Sequence, residues 1–268
     1  MSRREAARLG GLRRVALHGL PGTPESRRRG GLASAAKQQS RVDVRTHGGW
    51  CTRKPIVAPS LSTDLAEFIG IFLGDGGFRS RWQIGVSFNR HTERSYAAFI
   101  QQLIWRLFNV EARLYVRESS ADLIVSSVAL GDLLEELGLR RGPKQKTVKD
   151  IPAWIRASRD FRIACLRGLM DTDGCVFRHR YRVNGTWYAY PKLGFAGAIA
   201  PLCRFVLETL RELGITAYTH QQGQRVFVYS TNAVREYFTS VGTHNDHHQK
   251  RLEQYVGEVP KWLTGAVC

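Results

Sequence analysis

The chain carries the same short acidic glycine motif twice. Gly70-Ile-Phe-Leu-Gly-Asp-Gly76 returns 98 residues later as Gly168-Leu-Met-Asp-Thr-Asp-Gly174. A duplication at this spacing demands two like units, neither of which buries its apolar face alone, packed about a pseudo-twofold axis. More of the chain follows the repeat. Ile124-Val-Ser126 matches Val228-Tyr-Ser230, and Leu137-Gly138 matches Val241-Gly242, now at an offset of 104 because the second copy is longer after its acidic motif. Arg140-Arg-Gly-Pro-Lys144 has a loose counterpart in His244-Asn-Asp-His-His248.

Hydrophobic periodicity assigns each copy the order helix, two strands, helix, two strands, helix. Leu61 to Leu73 reads as an apolar helix. Residues 82–89 alternate, with Trp82, Ile84, Val86 and Phe88 on one face, which predicts a half-buried strand. Tyr96, Phe99, Ile100, Leu103 and Leu107 keep helical spacing. Strands are expected at 112–117 and 122–126, then a closing helix through Leu130, Leu134 and Leu137. In copy two the strands fall near 174–183, 187–196, 215–221 and 224–229, and the helices near 160–171, 199–213 and 231–241. The expected fold class is α+β, two pseudo-twofold-related αββαββα units. The first half spans 61–152 and the second 153–268, after a basic extension over 1–60.

That extension sets the charge balance. It holds 13 Lys/Arg against 3 Asp/Glu, so +10 of the chain's +17. A chain this basic favours a polyanionic partner, nucleic acid first. The Gly-, Arg- and Ser-rich extension reads as flexible or partly helical. The five cysteines, Cys51, Cys165, Cys175, Cys203 and Cys268, form no C-x-x-C pair, and an odd count suits a reducing compartment. A cytoplasmic location is expected, or an organellar matrix if the arginine-rich start is a transit peptide. No apolar run approaches the ~20 residues of a membrane span, so no membrane partner is expected.

The motif itself dictates chemistry. Gly70 and Gly74 lie on one helix face, as do Gly168 and Thr172 on the other helix. Small residues there allow two backbones to approach closely, which makes these four the expected helix interface. Asp75 and Asp173 then arrive side by side at two helix C-termini. The helix dipoles disfavour negative charge there, and the carboxylates repel each other. A divalent cation relieves both conflicts. Hard oxygen ligands point to Mg2+, or to a like ion such as Mn2+, and to metal-assisted phosphodiester hydrolysis.

Phe68-Ile-Gly-Ile-Phe-Leu-Gly-Asp-Gly76 and Leu166-Arg-Gly-Leu-Met-Asp-Thr-Asp-Gly174 resemble the paired signature motifs of the LAGLIDADG homing endonucleases. The resemblance covers roughly residues 61–260. It implies saddle-shaped antiparallel sheets seated over the DNA major groove, and Asp75 and Asp173 each binding metal and cutting one strand. Gly74 and Thr172 join them in the implied metal set. Leu73 departs from the pattern, standing where copy two has Asp171. The family also places a Lys or Gln strand residue near each carboxylate; aligning Gly85 with Gly194 nominates Gln83 and Lys192. A sheet projects a side chain to one face at every second residue. Arg178, Arg180 and Arg182 are candidate DNA contacts on this basis, as are Arg113, Tyr115 and Arg117, and Tyr188, Tyr190 and Lys192 with Arg225. The bland reading of such rows is a solvated hairpin edge. His244, His247, His248 and Asp246 lack zinc-site spacing and read as a loop against the DNA backbone.

The resulting expectation is a monomeric, site-specific double-strand endonuclease acting on a long pseudo-palindromic site. Met1 in place of a splicing-type cysteine argues against an intact intein. The alternative is a non-cleaving nucleic-acid binder of the same fold, an intron RNA maturase or a DNA-binding regulator. A small-molecule enzyme is disfavoured by the basic charge and by the lack of a phosphate-cradling glycine loop.

Overall fold

The computed structural model describes residues 3–19, 22–39 and 55–257. The chain divides into two units at Pro55–Ile56. The first holds two helices, α1 (Arg3–His18) and α2 (Pro24–Gln39), on which Leu9, Leu12 and Leu17 are exposed. The second holds the duplicated body. Among the described residues no helix is long and apolar enough to cross a membrane.

The first half of the body runs α3 (Thr63–Gly74), β1 (Gly76–Ser80), β2 (Gln83–Asn89), α4 (Arg94–Phe108), β3 (Arg113–Val116), β4 (Ser120–Ser126) and α5 (Val128–Glu136). Two single-turn helices, α6 (Lys144–Thr147) and α7 (Ala153–Arg156), lead to the second half. There α8 (Arg159–Asp173), β5 (Gly174–Val183), β6 (Thr186–Ala196), α9 (Ala200–Glu212), β7 (Tyr218–His220), β8 (Arg225–Val228) and α10 (Thr231–Ser240) repeat the plan, closed by α11 (Asp246–Gly257). The sheets are ordered β1-β2-β4-β3 and β5-β6-β8-β7, antiparallel throughout. This is the expected α+β duplication. One alignment shifts by a residue: the serine matching Ser230 is Ser127, since each caps the helix that follows and α10 is one residue longer than α5.

The helix α3 is buried from Leu65 to Leu73 without a polar stripe, the pattern of a helix enclosed on all sides. Its N-terminus is closed by Ser62, whose hydroxyl accepts from the Leu65 N–H at 3.2 Å. Its neighbour on one side is α8. A β-carbon on Gly70 would collide with the Cys165 carbonyl, and one on Gly168 would stand 2.8 Å from the Ile71 nitrogen. At the last turn a β-carbon on Gly74 would come 2.8 Å from Thr172 Cβ. All four residues of the expected interface therefore sit in the contact between the two helices, backbone against backbone at Gly70 and Gly168 and against the Thr172 side chain at Gly74. Ile84, Val86 and Phe88 in sheet one, and Val176, Leu193 and Phe195 in sheet two, face the apolar core.

The hairpins differ in length. The β5–β6 ladder runs from Gly174↔Phe195 to Val183↔Thr186 and turns through Asn184 (φ 49°) and Gly185 (φ 82°), a two-residue turn that needs left-handed backbone. The β1–β2 hairpin is about half as long and carries a bulge between Phe78 and Ser80.

The helix contact is testable by adding one carbon. Gly168→Ala drives a methyl into the backbone of Glu67 and Ile71, which has no way to yield. It is expected to cost about 2–3 kcal/mol or more in urea unfolding. Gly77→Ala, with nothing within 4 Å of the new carbon, is expected to change stability little.

Candidate active site and nucleic-acid interface

Asp75 is the cap residue of α3, and Asp173 is the last residue of α8. The helix contact carries them together. Asp173 Oδ2 lies 3.4 Å from where a Gly74 β-carbon would stand, so any side chain at position 74 would fill the space between the two ends. The Asp75 carbonyl accepts from the Ser87 N–H at 3.2 Å, which ties the turn to β2.

Burial raises both carboxyl groups above the ordinary range. Asp75 reaches about 6, through desolvation first, then the charges of Asp173 and Glu93, with Lys144 pulling the other way. Asp173 is raised by burial and lowered by Lys144. The Lys144 ammonium donates to the carbonyls of Leu73, at 2.9 Å, and Gly74. Burial brings it down to about 8, while Asp173 and Asp75 hold it up. Two carboxylates and one ammonium thus share a mostly buried space at the mouth of the helix pair. The all-oxygen donor set and the excess negative charge fit a hard divalent cation. Of the implied metal set, Gly74 has its carbonyl already engaged by Lys144, and Thr172 turns its hydroxyl back onto the carbonyls of Gly168 and Leu169, both at 3.0 Å.

The sequence nominated Gln83 and Lys192 as partners of this pair, and the structure does not bring them to it. Gln83 lies four residues up β2 from Ser87, roughly 13 Å along the strand, and donates to Ser126 at 3.2 Å. Lys192 pairs across from Phe177, several residues up β5 from Asp173, and its ammonium rests 4.6 Å over the Tyr229 ring. Burial alone lowers the Lys192 pKa, with no carboxylate acting on it. The cation at the site is Lys144.

The histidine loop also differs from its expected role. It points inward and joins the halves. His244 Nδ1 meets Glu67 Oε1 at 2.5 Å, its N–H donates to Asp171 Oδ2 at 2.8 Å, and its ring stacks on Phe99 at 4.2 Å. Thr243 donates to Asp171 Oδ1, and Arg167 pairs with the remaining Glu67 oxygen at 2.8 Å. Glu67, Asp171 and His244 have the proximity of a metal cluster, all ligand atoms lying within 4.8 Å. Each carboxylate oxygen already has a donor, so the group is complete as a hydrogen-bonded lock. Asp171 is fully buried in it, which accounts for an acid there and a leucine at position 73.

No protein-family model matches this sequence, and no curated protein does. Solved structures match in shape. A DNA complex of the meganuclease I-SmaMI aligns with TM-score 0.51 at 9% identity, over 75% of this chain and 89% of that one. A single-residue variant of I-SmaMI aligns at 0.52 and 9%, over 74% and 90%. The LAGLIDADG meganuclease I-AabMI, bound to uncleaved DNA, aligns at 0.50 and 9%, over 72% and 89%. The chain has the LAGLIDADG homing-endonuclease fold.

In this LAGLIDADG fold each sheet has one face on the helices and one open. On sheet one, Arg113, Tyr115 and Arg117 share the parity of Arg79, Ser87 and Asp122, opposite to the buried Val86 and Leu123. Asp122 organises that open face. It accepts from Ser87 at 2.5 Å and pairs with Arg79 at 3.2 Å and Arg117 at 3.0 Å, while Arg117 stays 72% exposed. On sheet two, strand parity separates two of the expected rows. Arg178, Arg180 and Arg182 share the parity of the buried Val176; the Arg178 guanidinium lies 5.7 Å from the Tyr255 ring of α11, while Arg180 and Arg182 are exposed towards the far end of the hairpin. They are not in one row with Tyr188, Tyr190, Lys192 and Arg225. Those four lie on the open face with Phe177, His179, Tyr181 and Phe227.

The raised Asp75 pKa has a signed consequence. A carboxyl whose folded pKa lies above its unfolded value costs stability while ionised. The cost is full above about 6 and relieved as pH falls towards 3.8. Without divalent metal, Asp75→Asn is expected to stabilise the fold at pH 7.5 by up to about 3 kcal/mol. The gain should shrink below pH 6 and vanish near 3.8 in urea melts run with chelator. A destabilised variant at pH 7.5 would contradict the buried, repelling pair.

Proposed function

We propose that this protein is a site-specific double-strand DNA endonuclease using Mg2+, or Mn2+, at Asp75 and Asp173. The observation that carries the reading is the carboxylate pair: two half-buried acids held together by backbone-to-backbone helix contact, with Lys144 beside them and an open sheet face on each half. I-AabMI and I-SmaMI, of the same fold, are seen bound to DNA.

The chain's residues divide the work. Asp75 and Asp173 would hold the ion, whose chemistry when bound would be to activate a water and offset charge on the leaving 3′ oxygen. Lys144 offsets phosphate charge in a site from which water is largely displaced. Arg113, Tyr115 and Arg117 on one sheet, and Tyr188, Tyr190, Lys192 and Arg225 on the other, present donors and rings to the major groove. The halves differ in sequence, so a monomer suits an asymmetric, pseudo-palindromic site. Phosphate contacts make binding weaken steeply with salt.

One observation favours the second reading, a binder such as an intron RNA maturase. The open face of sheet two is rich in rings: Tyr181 stacks on Tyr188 and Tyr190, and Phe227 on Tyr229. Aromatic faces suit unpaired bases better than the base edges of a duplex.

The test is cleavage of a randomised duplex library with magnesium. The full chain is expected to give defined double-strand cuts. Asp75→Asn and Asp173→Asn should each lose at least about 100-fold in rate while binding the selected site as tightly as the unaltered chain. Tight binding of RNA with no cutting of DNA would favour the maturase reading.

A further inference from the structure

The outer edge of sheet one is bare. β3 is the last strand of its sheet, and all its residues are exposed. Among the described residues no strand pairs with its outer side. The Arg117 N–H donates to the Ser120 carbonyl at 2.8 Å, and hydrogen-bonded pairs alternate along an antiparallel ladder. The backbone groups of Leu114 and Val116 therefore point away from β4. Both ends of the edge are closed. Gln101 donates to the Ala112 carbonyl at 2.8 Å, and Arg90 to the Arg117 carbonyl at 2.9 Å. The stretch between them is left open.

An apolar groove runs beside that edge. Leu114 and Val116 have the parity of the buried Leu123 and Ala121, yet they are 50% and 58% exposed. With Phe88, Ala97 and Leu123 they line a cavity of about 350 Å³. Arg94, Ala98, Gln101 and Trp105 form one exposed stripe of α4, and Gln101 joins this cavity to a second hollow under Trp105. The fold does not demand such a surface. In the second half Thr219 stands opposite Val226 where Leu114 stands opposite Leu123, and Gln221 then turns the chain away at φ 51°.

Two features choose the occupant. Open backbone groups beside an apolar groove fit an extended polypeptide, which adds as a further strand and inserts every second side chain. Among the described residues the groove is lined by Arg90 and Arg94 and by no acid, so acidic side chains complement it. A second copy carrying the same +17 would meet repulsion. We propose that the β3 edge is a docking site for an extended acidic segment of a partner protein, its apolar side chains alternating with carboxylates. Leu114 and Val116 lie on the opposite face from Arg113, Tyr115 and Arg117, so the segment and a nucleic acid can be held at once. The inference does not rest on the nuclease reading.

The probe is a short fluorescent peptide alternating glutamate with valine, added to the full chain and followed by anisotropy. It is expected to bind with a Kd of about 100 µM or tighter, in the range of a small transient interface. A lysine–valine peptide, and the glutamate–valine peptide N-methylated throughout, should each bind at least about tenfold more weakly. Leu114→Thr with Val116→Gln, which installs residues of the second half's edge, should weaken the peptide at least about tenfold and leave the Tm within about 2 °C. A second readout uses the unaltered chain: hydrogen exchange at the Leu114 and Val116 amides should slow when the peptide is added, and that at Thr219 should not. No binding, equal binding of either control peptide, or protection confined to other surfaces would overturn the inference. So would a concentration-dependent dimer lost in the double variant, which would make a second copy the occupant. Protection of the same two amides by RNA alone would put nucleic acid there and overturn it as well.

Discussion

Everything functional in this molecule depends on how closely α3 and α8 approach. Helices usually pack side chain against side chain, with axes 8–10 Å apart. Here Gly70 and Gly168 remove the spacers, and each backbone lies against the other. The helix ends then have no choice about their spacing, and Asp75 and Asp173 meet at the shared C-terminal mouth. Their mutual repulsion and their burial are costs that the surrounding apolar core must offset. That core is large, continuous across both halves, and includes seven of the twelve residues of α3. A site loaded in this way is poised to take up a divalent cation, because the ion relieves a conflict already built into the fold.

The lock around Glu67, Asp171 and His244 serves the same geometry from the other flank. Glu67 belongs to the first half, while Asp171 and His244 belong to the second, and Arg167 reaches across to Glu67. A buried network whose every oxygen has a donor resists sliding of one helix along the other. Sliding by one turn would separate the carboxylates by about 5 Å. Duplication supplied two equal scaffolds, and the sequence then diverged on their working surfaces. Sheet one carries a polar open face organised by Asp122, and sheet two a ring-rich one.

Much of this was legible in the chain itself. Small residues four apart beside an acid are a local pattern, and a second copy at fixed spacing makes it specific. The fold class, the helix interface and the acid pair all follow from that. Lys144 was visible in the stretch Arg140 to Lys144, yet its contact with Leu73 spans 71 residues, and no local signal announces it. Gln83 and Lys192 were aligned correctly on their glycines: Gly85 pairs with Gly77 and Gly194 with Cys175, equivalent places in the two sheets. The strands simply carry both side chains away from the helix ends. In β5, arginines alternate with aromatic residues, so either set can face the core by pattern alone. Val176, fully buried, has the arginines' parity, while Arg180 and Arg182 themselves lie beyond the core at the exposed end of the hairpin. The loop from His244 to His248 misled for a related reason. Its basic look suggested phosphate contact, while its partners, Glu67 and Asp171, lie 177 and 73 residues back.

The central claim is that helix contact forces two carboxylates into one poorly solvated space. The direct measurement is a carboxyl 13C NMR titration of the full chain labelled at aspartate, free of divalent metal. The account predicts that Asp75 titrates near 6 and that Asp173→Asn moves it down towards the ordinary range. An Asp75 that titrates like a solvated aspartate, and is indifferent to residue 173, would contradict the account.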